Sequence, residues 1–280
     1  MTPAARWALR AYPPSFRDRY GGELAALVED LPPSGLHTAG LFAGAARAWV
    51  RPAFSGADAT RGRLQASVLT VWAAWCAGFL LAPAAFKAVL DPPAPQVDET
   101  VRRLLDASAA SFALGCAIAA VGGSLLATRT MLPALRDRQW SVLRPLAPVV
   151  VLGLLEVAGL VALALLAPAP APLVVVVAGA WLAGLAALLV SLVRAPAVLL
   201  ERLRPETVAL RLPAVLAAGL ALCLAALTAT SASAVLLSGD AALVGAFAPV
   251  AVVVSVGVVA ALSALVSAGR GVRALRARTG

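Results

Sequence analysis

One residue in this chain is placed to do chemistry inside an otherwise apolar helix: Glu156, in the run VVVLGLLEVAGLVALALL. A charged side chain at the centre of a bilayer costs about 2.5 kcal/mol or more on insertion scales. Glu156 is therefore expected to face the bundle interior in its neutral form. Two roles fit such a group, a proton-linked or substrate-contacting acid and a neutral carboxylic acid hydrogen-bonded between two helices. No Lys or Arg lies within an apolar run to pair with it, which leaves the hydroxyls of Thr228, Thr230, Ser231, Ser233, Ser255 and Ser263 as partners.

The other intramembrane chemistries lack their residues. Serine proteolysis needs a serine with a histidine, and the single histidine, His37, lies outside the apolar runs. Aspartyl proteolysis needs a carboxylate dyad, whereas Glu156 stands alone. Cys76, Cys116 and Cys223 are isolated, with no CxxC or zinc spacing, and no GxxxxGK[ST] loop is present to cradle a nucleotide. The expectation is a non-enzymatic protein with no cofactor and no metal.

The elements that would position Glu156 are set by composition. Hydrophobic residues make up 61% of the 280 positions, and the mean hydropathy is +0.90. That is too apolar for a soluble domain to cover with a polar surface, so a lipid bilayer is the expected solvent. The net charge of +9 comes from 22 Arg and one Lys against 14 acids. These charges are parcelled out between apolar runs instead of forming a basic face interleaved with aromatics, so no nucleic-acid partner is expected.

A bilayer core of about 30 Å is crossed by roughly 20 apolar helical residues. Six runs qualify, at approximately 64–86, 107–128, 145–166, 173–193, 213–237 and 243–267. With the N-terminus inside, the inner segments hold 20 of the 23 basic residues, and the outer connections hold only Lys87, Arg102 and Arg103. The positive-inside rule then assigns both termini to the cytoplasm. The expected fold is an all-α membrane protein of six transmembrane helices in the cell (inner) membrane, residues 61–280, preceded by a cytoplasmic module, residues 1–60. No apolar h-region precedes Leu64, so the first span is expected to act as an uncleaved anchor.

Three connections carry further expectations. The segment LDPPAPQVDETVRRLLDAS can hold one short outer helix after its prolines. APAPAP, residues 167–172, reads as a stiff extended link. RAPAVLLERLRPETVALRL, with Val198, Leu199 and Leu203, can form a short inner helix along the membrane. Within the second run, Ser111, Gly115, Ala119 and Gly123 recur every four residues and are candidates for a helix-packing seam.

The N-terminal segment has a helical pattern of its own. Thr2 and Pro3 suit a helix start that ends before Pro13. Ser15 with Asp18 resembles a capping box, followed by Phe16, Tyr20, Leu24, Leu27, Val28 and Leu31 on one face. A third helix over 35–51 presents Leu41, Ala45, Ala48 and Trp49. Gly21 and Gly22 weaken the second helix by about 1 kcal/mol each, which points to a bend or a close contact there.

Within this module, Tyr12, Pro13, Phe16, Arg17, Arg19, Tyr20, Gly21 and Glu23, with Gly44, Ala45 and Pro52 as a looser block, resemble the YPxx[FW]RxRYGxE prefix. That prefix precedes the spans of polytopic integral membrane proteins of high-GC bacteria and of some permeases. Pro14 and Gly22 depart from the pattern. The resemblance covers about fifty residues and implies docking of a cytosolic regulator, with Tyr12, Pro13, Phe16, Arg17, Arg19, Tyr20 and Glu23 as candidate contacts. A purely architectural module, or one lying on the inner leaflet through its arginines, fits the same residues. For the whole chain the leading reading is regulatory or signalling. The alternatives are the membrane (permease) subunit of an exporter driven by a separate ATPase and an architectural or assembly protein, with homo-oligomerisation open in each.

Overall fold

The computed structural model describes residues 3–12, 14–30, 34–50, 59–82, 98–165, 171–238 and 247–276. Every regular element among them is helical. Three helices precede the spans: α1 (Pro3–Arg10), α2 (Pro14–Asp30) and α3 (Gly35–Val50). The spans are α4 (Ala59–Gly78), continued by a 3-10 turn at Phe79–Leu81, then α5 (Glu99–Leu126), continued by a π turn at Ala127–Met131 and α6 (Leu132–Arg136). After α7 (Trp140–Leu143) come α8 (Ala147–Leu165), α9 (Ala171–Leu203), α10 (Thr207–Ser238) and α11 (Phe247–Arg276). Six of these helical stretches are long and apolar enough to cross a membrane.

The helices outrun the apolar segments that define the spans. The stretch expected as a short outer helix is the first part of α5, whose N-cap Asp98 accepts the Thr100 N–H at 2.6 Å. That hydrogen bond holds the Asp98 carboxyl below the usual carboxylate range. Ala171 and Pro172, expected in an extended link, open α9 instead; residues 167–170 lie outside the described residues. The inner stretch expected to lie along the membrane is the end of α9 itself, with Leu199 and Leu200 buried, and only Arg204–Glu206 separates α9 from α10. A helix already packed at 8–10 Å from a neighbour has no reason to turn onto the membrane surface.

Four helices make the core. α10 packs against α5, α11 and α4, and α4 packs against α11. Lipid tails are as apolar as leucine, so burial alone does not bring these helices together; small residues that admit a large neighbour do. Trp75 of α4 is seated on Gly115 of α5, Leu224 of α10 on Gly78 of α4, and Leu81 on Gly257 of α11, each so close that a Cβ on the glycine would collide with it. Ala260, Ala264 and Ala268 give α11 a smooth buried stripe. Trp75 and Phe112 stack at 5.9 Å, with Phe79 edge-on to Phe112 at 5.4 Å.

The predicted seam on α5 holds at one end and fails at the other. Gly115 is buried and Ser111 and Ala119 are half-buried, but Gly123 is exposed with nothing within 4 Å of a Cβ placed there. Helical residues advance by about 100°, so each four-residue step drifts by about 40°. The contact line instead follows seven-residue steps, from Ser108 through Gly115 to Gly122, where Leu216 Cδ1 lies 3.6 Å from the position a Cβ would take. Ser108, buried at the N-terminal end of that line, donates to the Leu104 carbonyl at 2.9 Å and lies 2.8 Å from the Thr230 hydroxyl.

Helices α8 and α9 pair with each other as a hairpin on the flank of α4. Half of the most apolar window of α10 is buried, but none of the corresponding window of α8 or α9. A side-chain hydrogen bond ties the hairpin to α4. Pro196 inside α9 has no N–H to donate to the Leu192 carbonyl one turn back, and Trp72 of α4 supplies that donor, Nε1 to Leu192 O, at 2.8 Å. At the same end, Arg202 Nη1 donates to the Ser141 carbonyl at 2.8 Å, which brings two arginine-rich connections into contact.

Arg138 (φ 54°) and Arg204 (φ 43°) occupy left-handed positions where α6 and α9 stop. Glycine adopts that conformation at about 1–2 kcal/mol less cost.

Trp72→Phe should destabilise the bundle by about 1 kcal/mol in steric-trapping or denaturant measurements in mild detergent. In a Pro196→Ala background, where Leu192 regains an in-helix donor, the same change should cost clearly less. Equal costs in the two backgrounds would refute the pairing of Trp72 with the proline gap.

Candidate functional site

Glu156 sits in the hairpin, not in the four-helix core. Its helix α8 packs on α9, so its neighbours are not the hydroxyls of α10 and α11. Thr228 donates instead to its own helix at Leu224 O, 2.8 Å, and Ser231 bonds Ser108 at 3.3 Å. Glu156 faces a neighbouring helix, but that helix is α9, and the spans that enclose it are the two least buried ones.

The acid is held by a reciprocal arrangement of two large side chains and two glycines. Glu156 Oε1 lies against Gly184 of α9, where a Cβ would collide with it. Trp181, three residues before Gly184, lies over Gly159, three residues after Glu156, with Cδ1 2.8 Å from the position a Cβ would take. Trp181 Nε1 also donates to the Glu156 backbone carbonyl at 3.2 Å. Residues three apart share a helix face, so each helix offers one bulky group and one notch. The other carboxyl oxygen, Oε2, is enclosed with no hydrogen-bond partner among the described residues. Chemically the site is a lone carboxyl enclosed between two apolar helices among the described residues.

Trp181, Gly159 and Gly184 were not singled out by the sequence reading. Their signal was present as E-x-x-G and W-x-x-G on consecutive spans, but glycine is common in transmembrane helices and the register between helices is not encoded locally.

The N-terminal module is the second candidate. Tyr12 is buried, with its ring packed on Gly44 of α3, and burial pushes its phenol up from the ordinary tyrosine range. Tyr12 stacks on Phe16 at 4.9 Å, and Phe16 meets Tyr20 at 5.0 Å. This ladder ties α1 and α3 to α2, so Tyr12 serves the module's own fold. Phe16 and Tyr20 are half-buried, while Arg17 and Glu23 are exposed. Pro13 and the Arg19 side chain lie outside the described residues.

α2 begins at Pro14, one residue before the expected cap, and Leu27 is 56% exposed instead of sharing the buried face. Gly21 meets only its own helix, at Arg17 Cβ 3.7 Å, and Gly22 meets nothing within 4 Å. Neither glycine is required by packing within this chain. Between α1 and α2 runs an open groove of about 150 Å³, with Leu9, Tyr12, Phe16 and Leu24 as its floor and Arg10 and Arg17 among its walls. α3 touches α11, so the module is in contact with the last span.

Comparison with family models, curated proteins and solved structures finds no match to this chain.

Gly44→Ala and Gly22→Ala should move stability in opposite directions. The first forces the Tyr12 ring off α3 and should cost about 1–3 kcal/mol, while the second should add roughly 0.5–1 kcal/mol, both read by proteolysis rates of the full-length protein in nanodiscs. In the hairpin, Gly159→Ala should destabilise more than Gly184→Ala, because an indole cannot yield as a carboxyl tip can. Gly184→Ala should instead speed modification of Glu156 by a hydrophobic carbodiimide, measured by mass spectrometry with Glu156→Gln as the blank.

Proposed function

We propose that this is a membrane-embedded regulatory protein whose N-terminal module docks a cytosolic factor, with the six spans as its anchor and input. The observation that carries this reading is the α1–α2 groove, whose floor and walls include Tyr12, Phe16 and Arg17 of the aromatic-basic motif. An apolar floor beside Arg10 and Arg17 suits a helical or extended segment with one large apolar anchor and acidic neighbours. The contact of α3 with α11 gives a path by which a change among the spans reaches the docking module. Within that path Glu156 is a candidate input, since protonation changes the charge in a hairpin held to the core at few points.

The test is capture of cytosolic proteins by the full-length protein in nanodiscs. Wild type should enrich a specific factor, and Arg17→Glu and Phe16→Ala should each weaken recovery by about ten-fold or more, with the transmembrane region still folded. Recovery that is unchanged by both substitutions, or no enrichment over empty nanodiscs, would refute docking through this groove.

A further inference from the structure

We infer that the outward face of α1, formed by Arg6, Trp7 and Arg10, seats on anionic lipid headgroups at the arginine-rich side of the membrane. α1 has two opposite faces. Ala5, Ala8 and the following Tyr12 are buried, on the side where α1 packs on α3 and α2. At about 100° per residue, Arg6, Trp7 and Arg10 fall within an arc of about 100° on the other side. All three are exposed, and Trp7 keeps 66% of its surface open.

An open tryptophan between two arginines has a specific chemistry. Indole rings collect at membrane–water interfaces, where the ring meets the acyl boundary and the N–H stays among the headgroups. The Arg10 guanidinium carbon lies 5.7 Å from the Trp7 ring centroid, within cation–π reach. A guanidinium held over a ring still has N–H groups to offer a phosphate. The face therefore presents one apolar plate and two phosphate donors side by side.

Charge and tether select the partner. Residues 1–17 hold Arg6, Arg10 and Arg17 and no acid, while Asp18, Glu23, Glu29 and Asp30 all come later. An anionic leaflet attracts such a basic segment within about a Debye length, roughly 10 Å at moderate salt. The module is kept near that surface, because α3 touches α11. The chain from Val50, where α3 ends, to Ala59, where α4 begins, spans at most about 30 Å. A leaflet is thus an anionic surface held permanently beside the module, whereas an acidic protein would have to be recruited. The α1–α2 groove is a separate surface that shares only Arg10 with this face. The lipid contact does not rest on the docking of a cytosolic factor, and its test reads lipid first.

The full-length protein carrying fluorotryptophan is placed in nanodiscs of mixed phosphatidylglycerol and phosphatidylcholine, or of phosphatidylcholine alone. The Trp7 fluorine resonance is assigned by its loss in Trp7→Phe. In the mixed discs a nitroxide-bearing lipid should broaden this resonance and a water-soluble gadolinium chelate should not; in phosphatidylcholine alone the two agents should exchange roles. Arg6→Gln combined with Arg10→Gln should lower the lipid-nitroxide broadening in mixed discs by about ten-fold or more. High salt should do the same to the wild type, which keeps the test decisive should the double variant fail to fold. Equal broadening by the nitroxide lipid in the two kinds of disc, or broadening that survives both the arginine replacements and high salt, would overturn the assignment. So would shielding of Trp7 from gadolinium only after cytosolic protein is added, which would make the face a protein contact.

Discussion

Close approach of helices through glycine and alanine, each notch filled by one large side chain from the neighbour, is the constraint on which this bundle depends. In lipid no hydrophobic force draws apolar helices together, so contact energy must come from dispersion between well-fitted surfaces. Trp75 on Gly115, Leu224 on Gly78, Leu81 on Gly257 and Trp181 on Gly159 are all versions of the same fit. Where the small residue rotates away from the partner, as at Gly123, the fit is lost and a cleft opens in its place.

The second constraint is that backbone polar groups in the membrane must find partners. Pro196 breaks it locally, and the indole of Trp72 repairs it from another helix. That repair turns a defect in α9 into the attachment of a whole hairpin. The same hairpin carries Glu156, so the carboxyl sits in the part of the bundle with the fewest ties to the rest.

The N-terminal module is held together differently, through an aromatic ladder. Its aromatic ladder buries Tyr12 against Gly44 and leaves Arg17 and Glu23 outside. A domain of this size has a small core, and the contact of α3 with α11 adds to it. A conspicuous motif residue can thus be conspicuous for folding: Tyr12 reads as a contact residue in the sequence and as a keystone in the structure.

Hydropathy and arginine placement alone determined that the chain is an all-helical membrane protein, how many times it crosses, and which ends share a side, because those properties depend on each segment's own transfer free energy and charge. The three helices of the module were legible for the same reason, their periodicity being local. Glu156 stood out because its cost is local too. Its surroundings did not, since Gly184 and Trp181 meet it only through the register of two antiparallel helices. The split of six spans into a core of four and a flanking pair, the drift of the α5 seam from Gly123 to Gly122, and the repair of Pro196 by Trp72 were decided by tertiary structure. All three depend on which helix faces which and at what rotation, and in an alanine-rich chain many faces are nearly equivalent until side chains interlock.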